Sequence, residues 1–342
     1  MSREPERIEA GEARLYRIPL DLFPGLSGYA HLVLAPNFAA LIDVGSGFGD
    51  SNEQLDVGLR AVGAVEGIGW TDLTHVLISH GHIDHYGGLS FVRERTKAPV
   101  GIHRLDRDVL TDYPRRLDAA AGRLRRYLQK CGVEGEEQQE LMDLYLFTKQ
   151  LFHAQDVDFV VRHAEERLGP LEMLHVPGHC PGQLVLRVGD LLLTSDHVLP
   201  GITPHMAPAS LARHTGLGEY LDSLDRLELW GGDARLGLGG HGPPIHDVAG
   251  RIDEIRDHHE KRLQAVLKVL RQPTTIADVA DRMFPSAGGY HRLLALEEVG
   301  AHVEFLDGRG LVERTVTTSG AEVFGARPGE PPVVARAAGR LS

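Results

Sequence analysis

The block His80-Gly81-His82-Ile83-Asp84-His85 follows the apolar run Val76-Leu77-Ile78 almost directly. A short run of large aliphatic residues reads as a buried strand, and this strand ends where the histidines begin. A chain turning out of a strand can aim His80 and His82 to one side. Asp84 and His85, at the start of the next helix, then face a neighbouring point. Two points of convergence imply two metal ions. Downstream, His179 lies in the turn-rich stretch Pro177-Gly178-His179-Cys180-Pro181-Gly182, Asp196 follows Leu191-Leu192-Leu193-Thr194, and His241 follows Leu236-Gly237-Leu238-Gly239-Gly240. Every candidate ligand therefore sits at a strand end or in the loop after it.

Five histidines and two aspartates exceed the four protein groups that a closed tetrahedral site takes. The surplus favours a pair of ions, with His80, His82 and His179 on one, Asp84, His85 and His241 on the other, and Asp196 bridging. Zinc is the default for imidazole nitrogens and carboxylate oxygens, and iron and manganese suit the same donors. Two divalent ions roughly 3.5–4 Å apart can hold a bridging hydroxide and polarise an electrophilic oxygen. Asp84 and Asp196 are the catalytic carboxylates, Asp84 orienting the hydroxide and shuttling its proton. The chain holds 19 histidines, so chance spacing is the competing reading, but a compact block at a strand end is the context a ligand cluster needs. His197 and His205, on the segment leaving the Asp196 strand, are candidates to touch substrate or protonate a leaving group; the alternative is a loop histidine bonded to backbone. Arg115, Arg116, Arg123, Arg125 and Arg126 read as a solvated basic face.

The bulk properties set bounds on partners. A net charge of −12 repels nucleic acid and anionic membrane. Two cysteines, Cys131 and Cys180, cannot build a disulfide framework and fit a reducing compartment. No window approaches the length of a membrane-spanning helix, and the charged N-terminus precedes no apolar signal region. These features point to a cytoplasmic protein.

Strand-like segments at Leu15–Ile18, Ala30–Leu34 and Ala39–Asp43 alternate with Pro and Gly punctuation, then give way to a helix over Asn52–Val62 that Gly63 stops. A strand over Leu73–Ser79, a helix over His85–Arg95 and a strand over Pro99–Ile102 continue an α/β layered pattern. From about 104 to 155 two amphipathic helices interrupt it, the second carrying Leu151 and Phe152; they are either additional core or a lid over the metals. Strands resume at Asp158–Val161, Leu171–Val176, Leu184–Val188 and Leu191–Thr194. The catalytic domain is thus predicted over 1–250. From 251 to 325, three helices and a hairpin spell a winged-helix pattern, with Thr275 capping the middle helix. Residues 326–342, rich in Ala and Pro, read as a disordered tail.

In this order, Asp43, His80-x-His82-x-Asp84-His85, His179, Asp196 and His241 resemble the motif set of the metallo-β-lactamase superfamily, from roughly Ala13 to Pro244. The resemblance implies an αββα sandwich with metals at one edge of paired sheets. It also implies that Asp43 is a carboxylate behind the ligands, orienting imidazoles or metal-bound water. The C-terminal segment resembles the winged-helix appendage of one hydrolase subgroup, a superfamily that also holds endoribonucleases. β-Lactamases of this fold lack the bridging aspartate, so Asp196 speaks against antibiotic hydrolysis. Flavodiiron members carry Glu where this chain has His82. Glyoxalase II-type thioesterases and quorum-quenching lactonases share the full ligand set, as do phosphodiesterase and ribonuclease members. Cys180 sits where many relatives carry Thr or Ser, and reads as a small structural residue.

Two activities compete on these grounds. The first is hydrolysis of an ester, thioester or lactone of a small molecule by the metal-bridging hydroxide. The second is a metal-dependent phosphodiesterase or endoribonuclease that uses the winged helix to hold nucleic acid. Glu297, Glu298, Glu304 and Asp307 on the third helix of that module have the wrong sign for phosphate contact. The module is therefore expected to dimerise the chain or cover the site, and the partner to be a small-molecule substrate. A non-catalytic metal-binding regulator is disfavoured, because open coordination marks catalytic sites.

Overall fold

A computed structural model describes residues 4–149 and 153–328. Strands β1 (Glu6–Ala10), β2 (Ala13–Phe23), β3 (Leu26–Ala35) and β4 (Phe38–Ile42) form an antiparallel meander. Its turns place Gly11, Gly25 and Asn37 at positive φ, the conformation that tight reversals demand and that Gly and Asn accept most readily. Three parallel neighbours, β5 (His75–Leu77), β6 (Val100–His103) and β7 (Phe159–Val161), complete a seven-stranded sheet. A five-stranded sheet holds β8 (Glu165–Leu168), β9 (Leu171–His175), β10 (Leu184–Val188), β11 (Leu191–Ser195) and β12 (Leu236–Gly239), in the order β12-β11-β10-β9-β8.

The strand pleat sorts side chains between two cores. Leu15, Val33, Ile42 and Leu77 of the first sheet pack against Leu171, Leu184, Leu186, Leu193 and Leu238 of the second. Ile18, Leu20, Leu32, Leu41, Val76 and Ile78 face the opposite way, against Leu55, Leu59 and Val62 of the helix Ser51–Glu66 and against Leu89 and Val92. Beyond the second sheet, Gly231 at the end of the helix Leu217–Gly231 closes on Leu192, and Arg187 donates to the Trp230 carbonyl at 3.0 Å. The layers are helix, sheet, sheet, helix. Because both faces of the meander are covered, its strands lack the polar alternation of a half-exposed sheet.

Two helices differ from the sequence expectation at their glycines. Gly63 does not end the first helix, which runs to Glu66, where Gly67 takes the left-handed cap and donates back to the Gly63 carbonyl at 2.9 Å. The helix expected over His85–Arg95 is instead two short ones, Ile83–Tyr86 and Leu89–Arg93, separated at Gly87 and Gly88. The break serves packing. A Cβ on Gly87 would lie 2.0 Å from the Ser46 carbonyl oxygen, and one on Gly88 2.3 Å from that of Val44.

The chain divides into two compact units. The seven- and five-stranded sheets belong to the first, and the second draws, among the described residues, on 114–149, 205–225 and 252–328. The helices Tyr113–Lys130 and Gly135–Lys149 of the insertion fold with the C-terminal segment: Tyr127 donates its hydroxyl to the Leu296 carbonyl at 2.7 Å, and Ala277 donates its amide to the Cys131 carbonyl at 2.9 Å. In the same unit a capping box starts the helix Ile276–Met283, where the Thr275 hydroxyl accepts the Asp278 amide and the Asp278 carboxylate accepts the Thr275 amide. The buried helix Tyr290–Gly308 and the sheet of β13 (Thr274–Thr275), β14 (Val312–Val316) and β15 (Glu322–Ala326) follow. Ala326, expected at the start of the tail, is the last residue of β15 and donates to the Leu270 carbonyl at 2.7 Å. The remainder of that tail from 329, and Leu151 and Phe152 of the insertion, lie outside the described residues.

Because Gly87 meets backbone rather than a flexible side chain, Gly87→Ala should destabilise the protein by about 1–3 kcal/mol, the usual range for overpacking. Urea denaturation reads this as a lowered midpoint, and an unchanged midpoint would show that the segment has slack.

Candidate metal centre

Strand direction brings the candidate residues to one edge. β4 and β5 are parallel, so their C-terminal ends release Asp43 and the His80–His85 block side by side. β9 and β11 both run antiparallel to β10, and β12 runs parallel to β11, so the loops carrying His179, Asp196 and His241 leave the second sheet in one direction. The two sheets meet here through the Leu184 amide, which donates to the Ser79 carbonyl at 2.9 Å.

Asp43 organises the edge. Its φ of 60° is left-handed, a conformation that strains a non-glycine residue and tends to occur at functional sites. Oδ1 accepts the Ser79 amide at 2.7 Å, while Oδ2 accepts the Ser79 hydroxyl and His85 Nδ1–H, each at 2.8 Å. Having given its proton to Asp43, Ser79 Oγ accepts from the Ser195 hydroxyl at 2.7 Å and from His80 Nδ1–H at 3.1 Å. Ser195, immediately before Asp196, is also left-handed, with φ 46°.

These bonds set tautomers, since a ring nitrogen that donates leaves the other with a bare lone pair. His80 and His85 donate through Nδ1 and present Nε2. His241 donates Nδ1–H to the Ser27 carbonyl at 2.8 Å and presents Nε2. His82 is reversed: its Nε2 lies 3.3 Å from Cys180 Sγ, and Nδ1 faces the other rings. Cys180, read from the sequence as a small structural residue, thus has a specific partner behind a candidate ligand.

The inward-facing atoms gather in two clusters, His80, His82 and His179 with Cys180, and Asp84, His85, Asp196 and His241. In the first, His82 Nδ1 lies 3.1 Å from His80 Nε2 and 3.0 Å from His179 Nε2. Two nitrogens on one tetrahedral zinc stand roughly 3.3 Å apart, so the spacing suits shared ligation. In the second, His241 Nε2 lies 3.4 Å from Asp84 Oδ2 and 3.5 Å from Asp196 Oδ2, and His85 Nε2 lies 3.4 Å from Asp196 Oδ1. Asp196 Oδ2 is also 3.9 Å from His179 Nε2 and so reaches both clusters. His85 Nε2 and Asp196 Oδ1 are buried without a hydrogen-bond partner, which a metal ligand does not need. The donor set fits divalent cations.

The clusters differ in charge. Burial pushes His80 well below the ordinary histidine range and, with His179 beside it, brings His82 down to about 3, so both are neutral. In the second cluster burial opposes ionisation but loses. His85 is held well above its ordinary value by Asp196, Asp43 and Asp84, and His241 is raised to about 10 by hydrogen bonds to Asp196 and Asp84. Asp84, despite burial, is brought down to about 2 by His85 and His241, and Asp196 is held well below its usual range by the same pair.

His197 and His205, the remaining sequence candidates, belong to neither cluster. His197 is fully enclosed, its amide closing a turn onto the Thr194 carbonyl at 3.0 Å. His205 belongs to the second unit and pairs with Glu297 at 2.8 Å and Glu298 at 3.5 Å. Ser79, Ser195 and Gly240 were not singled out from the sequence. Gly240 has the clearest signal in retrospect, as one of paired glycines before a ligand: a Cβ there would lie 2.5 Å from Asp196 Oδ1 and 2.8 Å from His85 Cε1.

The sequence profile of the Metallo-beta-lactamase superfamily matches residues 23–235. Over 247 residues the chain is 24% identical to the Caenorhabditis elegans protein named Beta-lactamase-like protein 2 homolog, spanning 70% of this chain and 67% of that one. Over 172 residues it is 28% identical to the Bacillus subtilis (strain 168) protein named Probable metallo-hydrolase YqgX, spanning 49% and 68%. Among solved structures, a metallo-beta-lactamase family protein from Thermus thermophilus superposes with a TM-score of 0.74 at 27% identity, covering 92% of this chain and 98% of that one.

A methyl group on Gly240 would intrude between two candidate ligands. Gly240→Ala should therefore weaken metal binding by about 10–100-fold, the scale of disturbed ligand support, while cooperative unfolding persists; chelator competition with parental affinity would contradict it. His205, raised to about 9 against burial by Glu297 and Glu298, makes a different test. Its contribution to stability is complete below the ordinary value of 6.5 and is lost as pH rises through 9. With the side chain 29% exposed, solvent screening reduces the effect. The unfolding free energy of the parent should fall across this window relative to His205→Gln, and parallel pH profiles would remove the ion pairs from the account.

Proposed function

Because the chain belongs to the metallo-beta-lactamase superfamily and gathers metal-ligating groups at the edge of its paired sheets, we propose that it is a binuclear metallo-hydrolase cleaving an ester, thioester or lactone of a small molecule. The observation that carries this reading is the position of Asp196, whose Oδ2 stands 3.9 Å from His179 and 3.5 Å from His241. His80, His82 and His179 would hold one ion; Asp84, His85 and His241 the other; Asp196 both. Zinc is the default for these donors, with iron and manganese as alternatives. When bound, such ions supply a water that ionises near neutral pH and a Lewis acid for a carbonyl oxygen.

The chain's own residues do the rest. Asp43 fixes His85 through Nδ1, and Ser79 fixes His80, so neither imidazole rotates away from the site. Asp84 is partly exposed, as His82 and His241 are, so this side of the cluster opens toward an incoming substrate. Held ionised by His85 and His241, Asp84 can orient a nucleophilic water through one carboxylate oxygen. The presence of Asp196 argues against a β-lactam substrate.

The second unit, taken as a winged-helix-like appendage, gives little support to nucleic-acid binding. The helix Tyr290–Gly308, the one expected to read a groove, is buried over much of its length. Its Glu297 and Glu298 are engaged by His205 and Arg262, and Glu304 accepts the Ser210 amide. No helix among the described residues is long and apolar enough to cross a membrane. A cytoplasmic location and a role for the second unit in dimerisation or in covering the site remain parts of this proposal.

Elemental analysis of the native protein should find close to two divalent ions per chain, and Asp196→Ala should lower hydrolysis by at least about 100-fold without loss of cooperative unfolding. A panel of thioesters, lactones and esters, run beside a β-lactam and single-stranded RNA, identifies the bond. Full activity with one ion, or metal-dependent RNA cleavage at enzyme-like turnover, would overturn the proposal.

A further inference from the structure

Asp106 belongs to neither cluster and has no part in the chemistry above, yet it is fully buried. Taking a carboxylate out of water is costly unless hydrogen bonds replace the solvent. Here the replacements are backbone amides from two separate loops. Gly81 donates to Oδ2 at 2.8 Å, and Gly182 donates to Oδ1 at 2.9 Å. Gly81 lies between His80 and His82, after β5; Gly182 closes the loop that carries His179 and Cys180, after β9. One carboxylate therefore ties together two segments that leave different sheets and carry the three histidines of one cluster.

The glycines explain how it fits. Neither has positive φ, so their conformation would admit a side chain. Space is the constraint: a Cβ on Gly182 would lie 2.7 Å from Asp106 Cγ, closer than real contacts allow, and one on Gly81 would lie 3.3 Å from it, a tight contact. Both amides approach the carboxylate as near as an unsubstituted Cα allows. Asp106 is itself anchored, its amide donating to the His103 carbonyl at 3.0 Å and its carbonyl accepting the Val109 amide at 3.0 Å. Charge-assisted bonds to a fixed acceptor define distance more tightly than neutral ones.

We infer that Asp106 is a positioning residue for the His80–His82–His179 cluster, setting the separation of the two loops so that His82 Nδ1 and His179 Nε2 stay at 3.0 Å. The inference rests on the proposed metal-binding role of these histidines. It assigns Asp106 to one metal site and not to the other, since neither of the loop amides it holds belongs to the Asp84, His85, Asp196 and His241 set.

The test is zinc and cobalt(II) titration of metal-stripped protein under chelator competition, with circular dichroism following the fold. His179→Ala identifies which of the two binding events belongs to this cluster. In Asp106→Ala that event should weaken by about 10–100-fold and its cobalt absorption should change, while the other event stays at parental affinity. Asp106→Asn keeps the shape but replaces one acceptor oxygen with a donor, and should give a smaller loss at the same event. Gly182→Ala, which displaces the carboxylate without removing it, should weaken that event too. Parental affinities in folded Asp106→Ala or Asp106→Asn overturn the inference, as does equal weakening of both events. Loss of the fold in both Asp106 variants also overturns it, by making Asp106 a general stabilising residue. If the parent binds no metal, or His179→Ala leaves both events intact, the metal reading of the site fails and this inference falls with it; parental binding of two ions with unaffected Asp106 variants rejects the inference alone.

Discussion

The site depends on one buried carboxylate with a strained backbone. Asp43 takes three hydrogen bonds, two from Ser79 and one from His85, and through the Ser79 hydroxyl it also orients His80 and Ser195. Those residues come from β4, the loop after β5 and the end of β11, so a single group joins elements of both sheets at the edge where they open. A polar network of this kind stabilises only if it is complete, because each buried atom left unpaired costs about 1–3 kcal/mol. The completeness at Asp43 contrasts with its absence one bond further out. His85 is satisfied at Nδ1 by Asp43, while its Nε2 is buried without a hydrogen bond. Structure on one side of the ring creates demand for a cation on the other.

The same economy of backbone recurs in the loops. Gly87 and Gly88 divide a helical segment so that Tyr86 can sit in the core while His85 stays at the edge. The Val44 amide reaches the His85 carbonyl at 2.8 Å, and the Gly88 amide the Gly45 carbonyl at 3.1 Å, which stitches the Asp43 loop to the histidine loop. The His241 loop is held in the same manner from β3 and β2. Tyr29 donates to the Gly240 carbonyl at 3.0 Å, and buried Arg17 donates to that of Gly242 at 2.8 Å. Candidate ligands thus reach the site on short loops whose backbones are bonded to the sheets.

Much of this was legible from pattern, and the limits are physical. Apolar runs ending at His80, Asp196 and His241 mark strand ends, because a strand covered on both faces has no other way to look in sequence. The αββα layering and the association of distant histidines follow from those runs together with the family motif. Hydrogen bonds to the far side of a ring leave no such periodic trace, and Ser79, Ser195 and Cys180 are ordinary small residues until tautomers are assigned. Gly63 and Gly87 show the same limit for backbone. One glycine sits inside a helix and the other ends one, and what separates them is the neighbouring chain, Ile68 for the first and Ser46 for the second. His197 and His205 are near Asp196 in sequence, and neither belongs to a cluster of ligand atoms. The insertion was visible as two helices, but its bonds to Leu296 and Ala277 join residues too far apart for any local signal.

The two clusters solve a common electrostatic problem in opposite ways. Packing imidazoles together favours the neutral form, and the first cluster accepts that outcome, with His80 and His82 held below the normal range by burial and by neighbouring imidazoles. The second adds Asp84 and Asp196, whose negative charge must be balanced in a confined space, and protons on His85 and His241 supply the balance. A divalent cation would meet neutral imidazoles at the first cluster and would have to displace protons at the second. Asp196 reaches both, so the charge state of one is felt by the other through a shared carboxylate. The division of labour that a hydrolase needs, between holding a metal and managing a proton, is thereby already present in the unequal chemistry of the two ligand sets.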